Sequence, residues 1–194
     1  MKLEPKILEG RFVRLEPLEE RHREGLRAPA GEEDIWRFIP ERGFGPFYDA
    51  MFTKRLDRTR SGEWIAHAVR RRADDALVGQ TCFLNIDAHN DRVEIGATWY
   101  GADARGGPVN PECKYLLMEA AFEAGALRVE LKTDMRNARS RAAIAKLGAK
   151  EEGVLRRHTK MWDGHVRDTV YFSVLDREWP AVRAGLEARL ARFG

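Results

Sequence analysis

The sequence predicts an α/β (α+β) fold built on a mixed, mostly antiparallel sheet, and three observations carry the prediction. Strand-like segments 63–70, 76–86 and 92–100 are joined by short polar links, Ala73-Asp74-Asp75 and Asp87-Ala88-His89-Asn90-Asp91, which makes them an antiparallel meander. A glycine-rich loop and an amphipathic helix then lead into a further strand, which must return parallel to the 92–100 strand. Asp163-Gly164, set between two strand-like runs, is a strong hairpin signal.

The elements follow in order. Phe12-Val13-Arg14-Leu15 alternates as a short strand, and Glu16-Pro17-Leu18 is expected to open a charged helix running to about Arg27. From Ala28 to Ala50 the chain is richer in Gly and Pro and carries Trp36, Phe38, Phe44, Phe47 and Tyr48. Aromatics in such a segment ordinarily pack a loop onto the core; lining a ligand wall is the other use. In the third strand of the meander Val93, Ile95, Ala97 and Trp99 alternate with Arg92, Glu94, Gly96 and Thr98, so Glu94 points away from the more apolar face. Cys113, Leu116, Leu117, Ala120, Ala121 and Ala124 form a helical stripe that stops at Gly125, and Leu127, Val129 and Leu131 mark the next strand. Asn137 caps a second helix whose apolar side is Ala142, Ala143, Ile144 and Leu147 and whose stop is Gly148. The hairpin spans Gly153 to Trp162 and Val166 to Leu175, and a terminal helix runs from Asp176 to about Ala191 with Val182, Leu186 and Leu190 inward.

The stretch Tyr100-Gly101-Ala102-Asp103-Ala104-Arg105-Gly106-Gly107-Pro108-Val109-Asn110-Pro111-Glu112 is the most informative part of the chain. Glycine lets successive N–H groups form a concave nest, and a helix start adds unpaired N–H groups and a positive dipole end, so the loop is built for an anion, phosphate above all. Asn110 is the expected N-cap and Pro111 the expected first helical residue. The loop lies in the middle of the chain, whereas a doubly wound dinucleotide fold begins with it, and neither G-x-G-x-x-G nor G-x-x-x-x-G-K-[ST] occurs.

Composition sets the outer limits. With 194 residues, 43% of them apolar, the chain suits one domain spanning 1–194. Lys+Arg 34 against Asp+Glu 31 leaves a net +3 spread along the sequence, and Arg70-Arg71-Arg72 is broken at once by Asp74 and Asp75, so nucleic acid is not the expected partner. Cys82 and Cys113 fall in apolar patterns without ligand spacing and read as small buried hydrophobes of a reduced, cytoplasmic protein. No run approaches the roughly 18 uncharged apolar residues of a membrane helix, and the charged N-terminal segment does not read as a signal peptide. The five histidines have no ligand spacing, so no metal is expected.

Taken together, these residues resemble the GCN5-related N-acetyltransferases (GNAT), and within them the ribosomal-protein alanine acetyltransferase-like branch. The resemblance covers roughly residues 10–180. It rests on Glu9-Gly10-Arg11-Phe12-Val13-Arg14-Leu15, Val93-Glu94-Ile95-Gly96, Arg105-Gly106 through Asn110-Pro111-Glu112, Asn137-Ala138-Arg139-Ser140, Leu147-Gly148-Ala149, and Asp163-Gly164 followed by Arg167-Asp168. Each string is weak alone; in this order they are specific. The resemblance implies a central sheet with helices on both faces and a splayed strand pair that holds acetyl-coenzyme A as co-substrate. The pyrophosphate then falls on the loop already read as an anion nest, with Trp99, Tyr100, Arg105, Gly106, Gly107, Val109, Asn110, Asn137 and Ser140 as coenzyme-binding residues. Pro108 departs from the family pattern, standing where it has a glycine. Proline removes one N–H and fixes φ, so either the nest works with fewer donors or the pyrophosphate is held less tightly.

By the same resemblance the acceptor is a primary amine, on a small molecule or a protein N-terminus, attacked through Glu94 as base. An α-amino group with a pKa near 8 needs only a modest pull. The residues themselves equally allow an exposed strand glutamate paired with a cross-strand arginine. The oxyanion donor of the family is a backbone N–H, here near Thr98 to Tyr100. The tyrosine that many relatives use as general acid is replaced by Ile144, leaving Ser140 or a water for that role. Trp36, Tyr48, His158 and Asp168 are the expected substrate-binding residues. A coenzyme A-binding or sensor module without turnover is the alternative, a longer acyl group is a third reading, and a homodimer rests on analogy alone.

Overall fold

The structure, a computed structural model, describes residues 1–194. Eight strands form one sheet: β1 (Leu8–Glu9), β2 (Val13–Pro17), β3 (Ile65–Arg71), β4 (Leu77–Asp87), β5 (Arg92–Tyr100), β6 (Arg128–Asp134), β7 (Lys150–Lys160) and β8 (Val166–Leu175). Their order across the sheet is β1-β2-β3-β4-β5-β6-β8-β7, and every neighbouring pair is antiparallel except β5 and β6. The helices are α1 (Arg23–Arg27), α2 (Tyr48–Arg60), α3 (Val109–Glu123), α4 (Ala138–Ala145) and α5 (Trp179–Leu190). The meander, the parallel crossover and the hairpin are as the sequence pattern predicts.

Two hydrophobic clusters sandwich the sheet. One joins Val13, Leu15, Val93, Ile95, Val129, Leu131, Val170 and Phe172 to Cys113, Leu117, Ile144, Val182 and Leu186 of α3, α4 and α5. The other gathers Trp36, Tyr48, Phe52, Leu56, Trp64, Cys82, Leu84 and Trp99 beneath α1 and α2. Both cysteines are fully buried and free, and burial pushes their thiols up to about 11 and about 12, so they behave as small hydrophobes. No helix is long and apolar enough to cross a membrane.

Several sequence expectations need correction. Glu16 opens no helix. It is a buried residue of β2 bonded to Arg14, Arg70 and His22, and the helix waits for α1 after a 3-10 turn at Glu20–His22. The Gly- and Pro-richer segment from Ala28 leads into α2, whose buried residues Tyr48, Met51, Phe52, Arg55 and Leu56 keep the helical spacing of three and four. Asn110 is not the N-cap of α3. Pro108 occupies that place without a side-chain hydrogen bond, so Asn110 and Pro111 are the second and third helical residues. Leu127 lies outside β6 and is exposed, and of the predicted apolar side of α4 only Ile144 and Leu147 are buried.

Trp36 and Tyr48, expected to bind substrate, are core residues of the α2 side. Both are fully buried, Trp36 Nε1 donating to Ala30 O at 2.9 Å and Tyr48 Oη to Arg23 O at 2.6 Å, because an indole or phenol in a core must satisfy its polar tip.

Candidate active site

The parallel contact of β5 and β6 is brief: Arg92, Val93 and Glu94 face Arg128, Val129 and Glu130, and beyond them the strands part. Each follows its other neighbour. β6 stays paired with β8 to Asp134, while β5 stays with β4 to Tyr100. β5 also carries a bulge, with one more residue between Gly96 and Trp99 than between Cys82 and Gln80, and Ala97 there adopts φ +49°. Arg55 of α2 pins this strained turn. It is fully buried, with Nη1 at 3.0 Å from both Ala97 O and Gln80 Oε1 and Nε at 3.0 Å from Glu41. The bulge also breaks the alternation assumed from the sequence, turning Trp99 and Ala97 to the α2 side and Tyr100 to the α3 side.

α3 and α4 both start at the carboxyl ends of the parting strands, so their N-termini flank the mouth of the gap, where parallel neighbours ordinarily receive ligands. In the glycine loop Gly106 takes φ +80°, and the N–H groups of Gly106, Gly107, Val109 and Asn110 make no hydrogen bond to the rest of the chain. Four free donors at a helix start are chemistry suited to an anion even though Pro108 contributes none. Arg105 folds back to brace this loop, Nε donating to Tyr100 O at 3.0 Å. The side chains of Trp99, Tyr100 and Val109 are buried in the two cores, Trp99 donating to Gln80 Oε1 at 3.2 Å, so only their backbone can face a ligand. Across the mouth Asn137 caps α4 by accepting the Ser140 N–H at 3.0 Å, and the Ser140 hydroxyl has no partner in the chain. On the outer flank of the glycine loop a groove of about 560 Å³ is lined by Arg11, Arg71 and Arg72.

Glu94 is the last residue of β5 paired with β6 and sits at the vertex of the gap. It is neither exposed nor bonded to an arginine: only 2% accessible, it accepts from Lys132 Nζ and Asn85 Nδ2, each at 2.7 Å. Burial pushes its carboxyl above the ordinary carboxylate range, against the pull of Lys132 and Asn85. Gly96 keeps room for it, since a Cβ there would stand 2.8 Å from Glu94 Oε1. Glu94, Lys132, Thr169, Tyr171 and His158 share one polar face of the sheet. His158 Nδ1 lies 3.1 Å from Thr169 Oγ1 with its ring edge-on to Tyr171, and desolvation followed by Lys132 and Arg167 lowers its pKa. The hairpin tip closes one end of this face, Trp162 Nε1 donating to Trp36 O at 2.9 Å and Arg167 Nη1 to Phe38 O at 3.3 Å.

Asp168 does not point a free carboxylate at this face. Three residues of β7 oppose one of β8 there, Arg157 takes φ +49°, and Asp168 Oδ1 accepts the Arg157 N–H at 2.7 Å to hold the bulge. The sequence reading missed Lys132, Asn85, Arg55 and Lys114, of which only Lys114 left a trace, as a charge on the apolar stripe of α3 with Leu117, Met118 and Ala121. No group of three or more His, Cys, Asp or Glu is arranged to hold a metal ion.

Residues 13–150 match the family model described as an acetyltransferase (GNAT) domain. A Bacillus subtilis (strain 168) protein provisionally named as the ribosomal N-acetyltransferase YdaF is 34% identical over 107 residues, 55% of this chain and 57% of that protein. The match therefore spans little more than half the length of this curated relative. Among solved structures, a GCN5-related N-acetyltransferase from Brucella melitensis is 34% identical and superposes with a TM-score of 0.89 over 98% of this chain and 87% of its own. The Mycobacterium smegmatis RimJ, solved with CoA-disulfide, shares the fold at a TM-score of 0.81 and 21% identity, with 95% of each chain covered.

Proposed function

Because the chain belongs to the GNAT acetyltransferase family, we propose that it transfers the acetyl group of acetyl-coenzyme A to a primary amine, with Glu94 as the base. The observation that carries this reading is a gap between parallel strands with a carboxylate at its vertex and four unpartnered N–H groups at its mouth. The residues fit the coenzyme. The N–H groups of Gly106, Gly107, Val109 and Asn110 suit a pyrophosphate, Asn137 and Ser140 lie across the mouth, and the open edge of β5 after Ala97 offers backbone to an extended amide-bearing arm. Bound there, the coenzyme supplies an activated acetyl thioester.

The chain's own task is to deliver a neutral amine to that thioester. A carboxylate raised by burial is a better proton acceptor than an exposed one, and it lies closer to the amine's pKa of about 8. The polar face around Glu94, walled by the hairpin tip and residues 35–44, receives the amine. His158 borders this face, while Asp168 shapes it through the β7 bulge. A ribosomal acceptor is what the name of the curated relative suggests, and a protein N-terminus or a small amine fits the same chemistry. One chain-spanning unit and a reducing cytoplasmic setting, in which Cys82 and Cys113 stay free, complete the reading.

The test begins with thermal stabilisation by acetyl-coenzyme A and continues with free-thiol release across a panel of amines and N-terminal peptides. Glu94→Gln is expected to lower kcat/KM by about 10²-fold or more. Glu94 acts only when ionised, so wild-type kcat/KM should rise with pH through a pKa above the usual carboxylate value, and the variant should lose that limb. Full turnover in Glu94→Gln removes the base assignment. Stabilisation by the coenzyme with no thiol release for any amine points instead to the binding module without turnover, and no stabilisation at all defeats both readings.

A further inference from the structure

Lys114 is a buried cation that the reading above leaves without a task. It lies in the second turn of α3 and is 6% exposed. No carboxylate lies within ion-pair distance of it, and its one hydrogen-bond partner is Thr98 Oγ1 at 3.1 Å. Thr98 follows the bulge at Ala97, and its hydroxyl also meets Thr81 Oγ1 at 2.8 Å. The ammonium thus reaches from α3 to the part of β5 beyond Glu94, its last residue paired with β6. The titratable groups facing it are Cys113 on its own helix, Cys82 on β4 and Glu94 on β5.

Such a residue weakens the fold. An ammonium held by a single neutral partner costs desolvation that a methionine of similar shape would avoid, so packing does not explain it. Chemistry does. Acetyl transfer releases a thiolate, which needs a proton as the carbon–sulfur bond breaks, and the helix position where an acid is expected holds the buried Ile144. Burial lowers the Lys114 ammonium to about 8, against the opposing pull of Cys113, Cys82 and Glu94, which lies close to a thiol pKa near 8.5 and suits proton transfer at neutral pH.

We propose that Lys114, anchored by Thr98, is the proton donor to the departing coenzyme A thiolate. The inference rests on the acetyl-transfer reading. The nitrogen–carbon bond forms and the carbon–sulfur bond breaks. Glu94 holds the proton lost by the amine, Lys114 gives its proton to sulfur, and Glu94 returns one proton to Lys114 through solvent, so the cycle closes without an outside reagent.

The test is Lys114→Met, with Thr98→Val as the variant that keeps the charge and loosens its anchor. Lys114→Met should melt at or above the wild-type temperature and bind acetyl-coenzyme A within about threefold, because an ammonium desolvated without a counter-ion is lost. Its kcat should fall about 10²-fold and lose the alkaline limb near pH 8, with a smaller loss in Thr98→Val. A readout independent of turnover is the affinity of coenzyme A against its desulfo analogue. The wild type should favour the thiol form about tenfold at about pH 8, as one charge-assisted hydrogen bond allows, and Lys114→Met should erase the preference. Unchanged kcat, a surviving preference for the thiol, or a drop in melting temperature overturns the proposal. If Lys114→Met does not fold, unchanged kcat and thiol preference in Thr98→Val overturn it. Wild-type protein that binds no acetyl-coenzyme A defeats the acetyl-transfer reading itself, a distinguishable outcome.

Discussion

Gly10→Ala should destabilise the protein by breaking one clasp. The carboxylate of Glu112, in the first turn of α3, is buried and accepts three backbone N–H groups, from Arg11 at 2.8 Å, Phe12 at 2.6 Å and Val13 at 2.7 Å. A Cβ on Gly10 would stand 2.5 Å from Glu112 Oε2 and 2.8 Å from Oε1, distances that real Cβ contacts do not reach, so the carboxylate must leave. Hydrogen bonds to a charged group contribute about 1.5–3 kcal/mol each, and water replaces only part of what is lost, so the expected cost is about 3 kcal/mol. For a domain of this size that lowers Tm by about 6–12 °C. The assay is urea and thermal unfolding of Gly10→Ala, Glu112→Ala and the double variant. If the clash is the mechanism, Gly10→Ala costs less than about 1 kcal/mol once Glu112 is alanine. Equal costs in both backgrounds refute it.

Two further outcomes follow from the same kind of reasoning. Burial alone would raise the Glu16 carboxyl, yet Arg70, His22 and Arg14 hold it at about 2. A depressed pKa gives stability that is fully present above the unfolded value of about 4.5 and fades as pH falls towards 2, so acid unfolding should begin in that window. Glu16→Gln should cost about 3 kcal/mol at neutral pH and flatten the acid limb of a stability-against-pH series, and an unchanged limb removes Glu16 as its source. Pro108→Gly adds one N–H to the four already free at the start of α3 and should tighten acetyl-coenzyme A binding by no more than about tenfold, measured by calorimetry. A larger gain would mean that the nest is incomplete as it stands.

Much of the fold was legible because it is written in local chemistry. Alternation over 92–100, Asp163-Gly164 and the glycines at 125 and 148 act over a few residues, and Gly125, Gly148 and Gly164 all take the positive φ that their places as stops and turn require. The reading failed where a distant partner overrides local preference. Glu16 looked like a helix opener until Arg70, His22 and Arg14 gathered around it, and Asn110 looked like a cap that Pro108 in fact supplies. Glu9-Gly10-Arg11 and Asn110-Pro111-Glu112 appeared as two separate strings, and only packing shows them to be two halves of one clasp.

The same division holds for the site. By itself the sequence determined that a glycine-rich loop stands between a strand and a helix in the middle of a mostly antiparallel sheet, and that Glu94 precedes it on that strand. Nearest-neighbour chemistry and spacing suffice for that. Tertiary structure alone decided that β5 and β6 part after Glu94, that the carboxylate is buried against Lys132 and Asn85, that Trp36 and Tyr48 belong to the core, and that Lys114 is buried against Thr98. Desolvation and pairing depend on which groups lie around a side chain in space, and those groups come from strands and helices far apart in the chain.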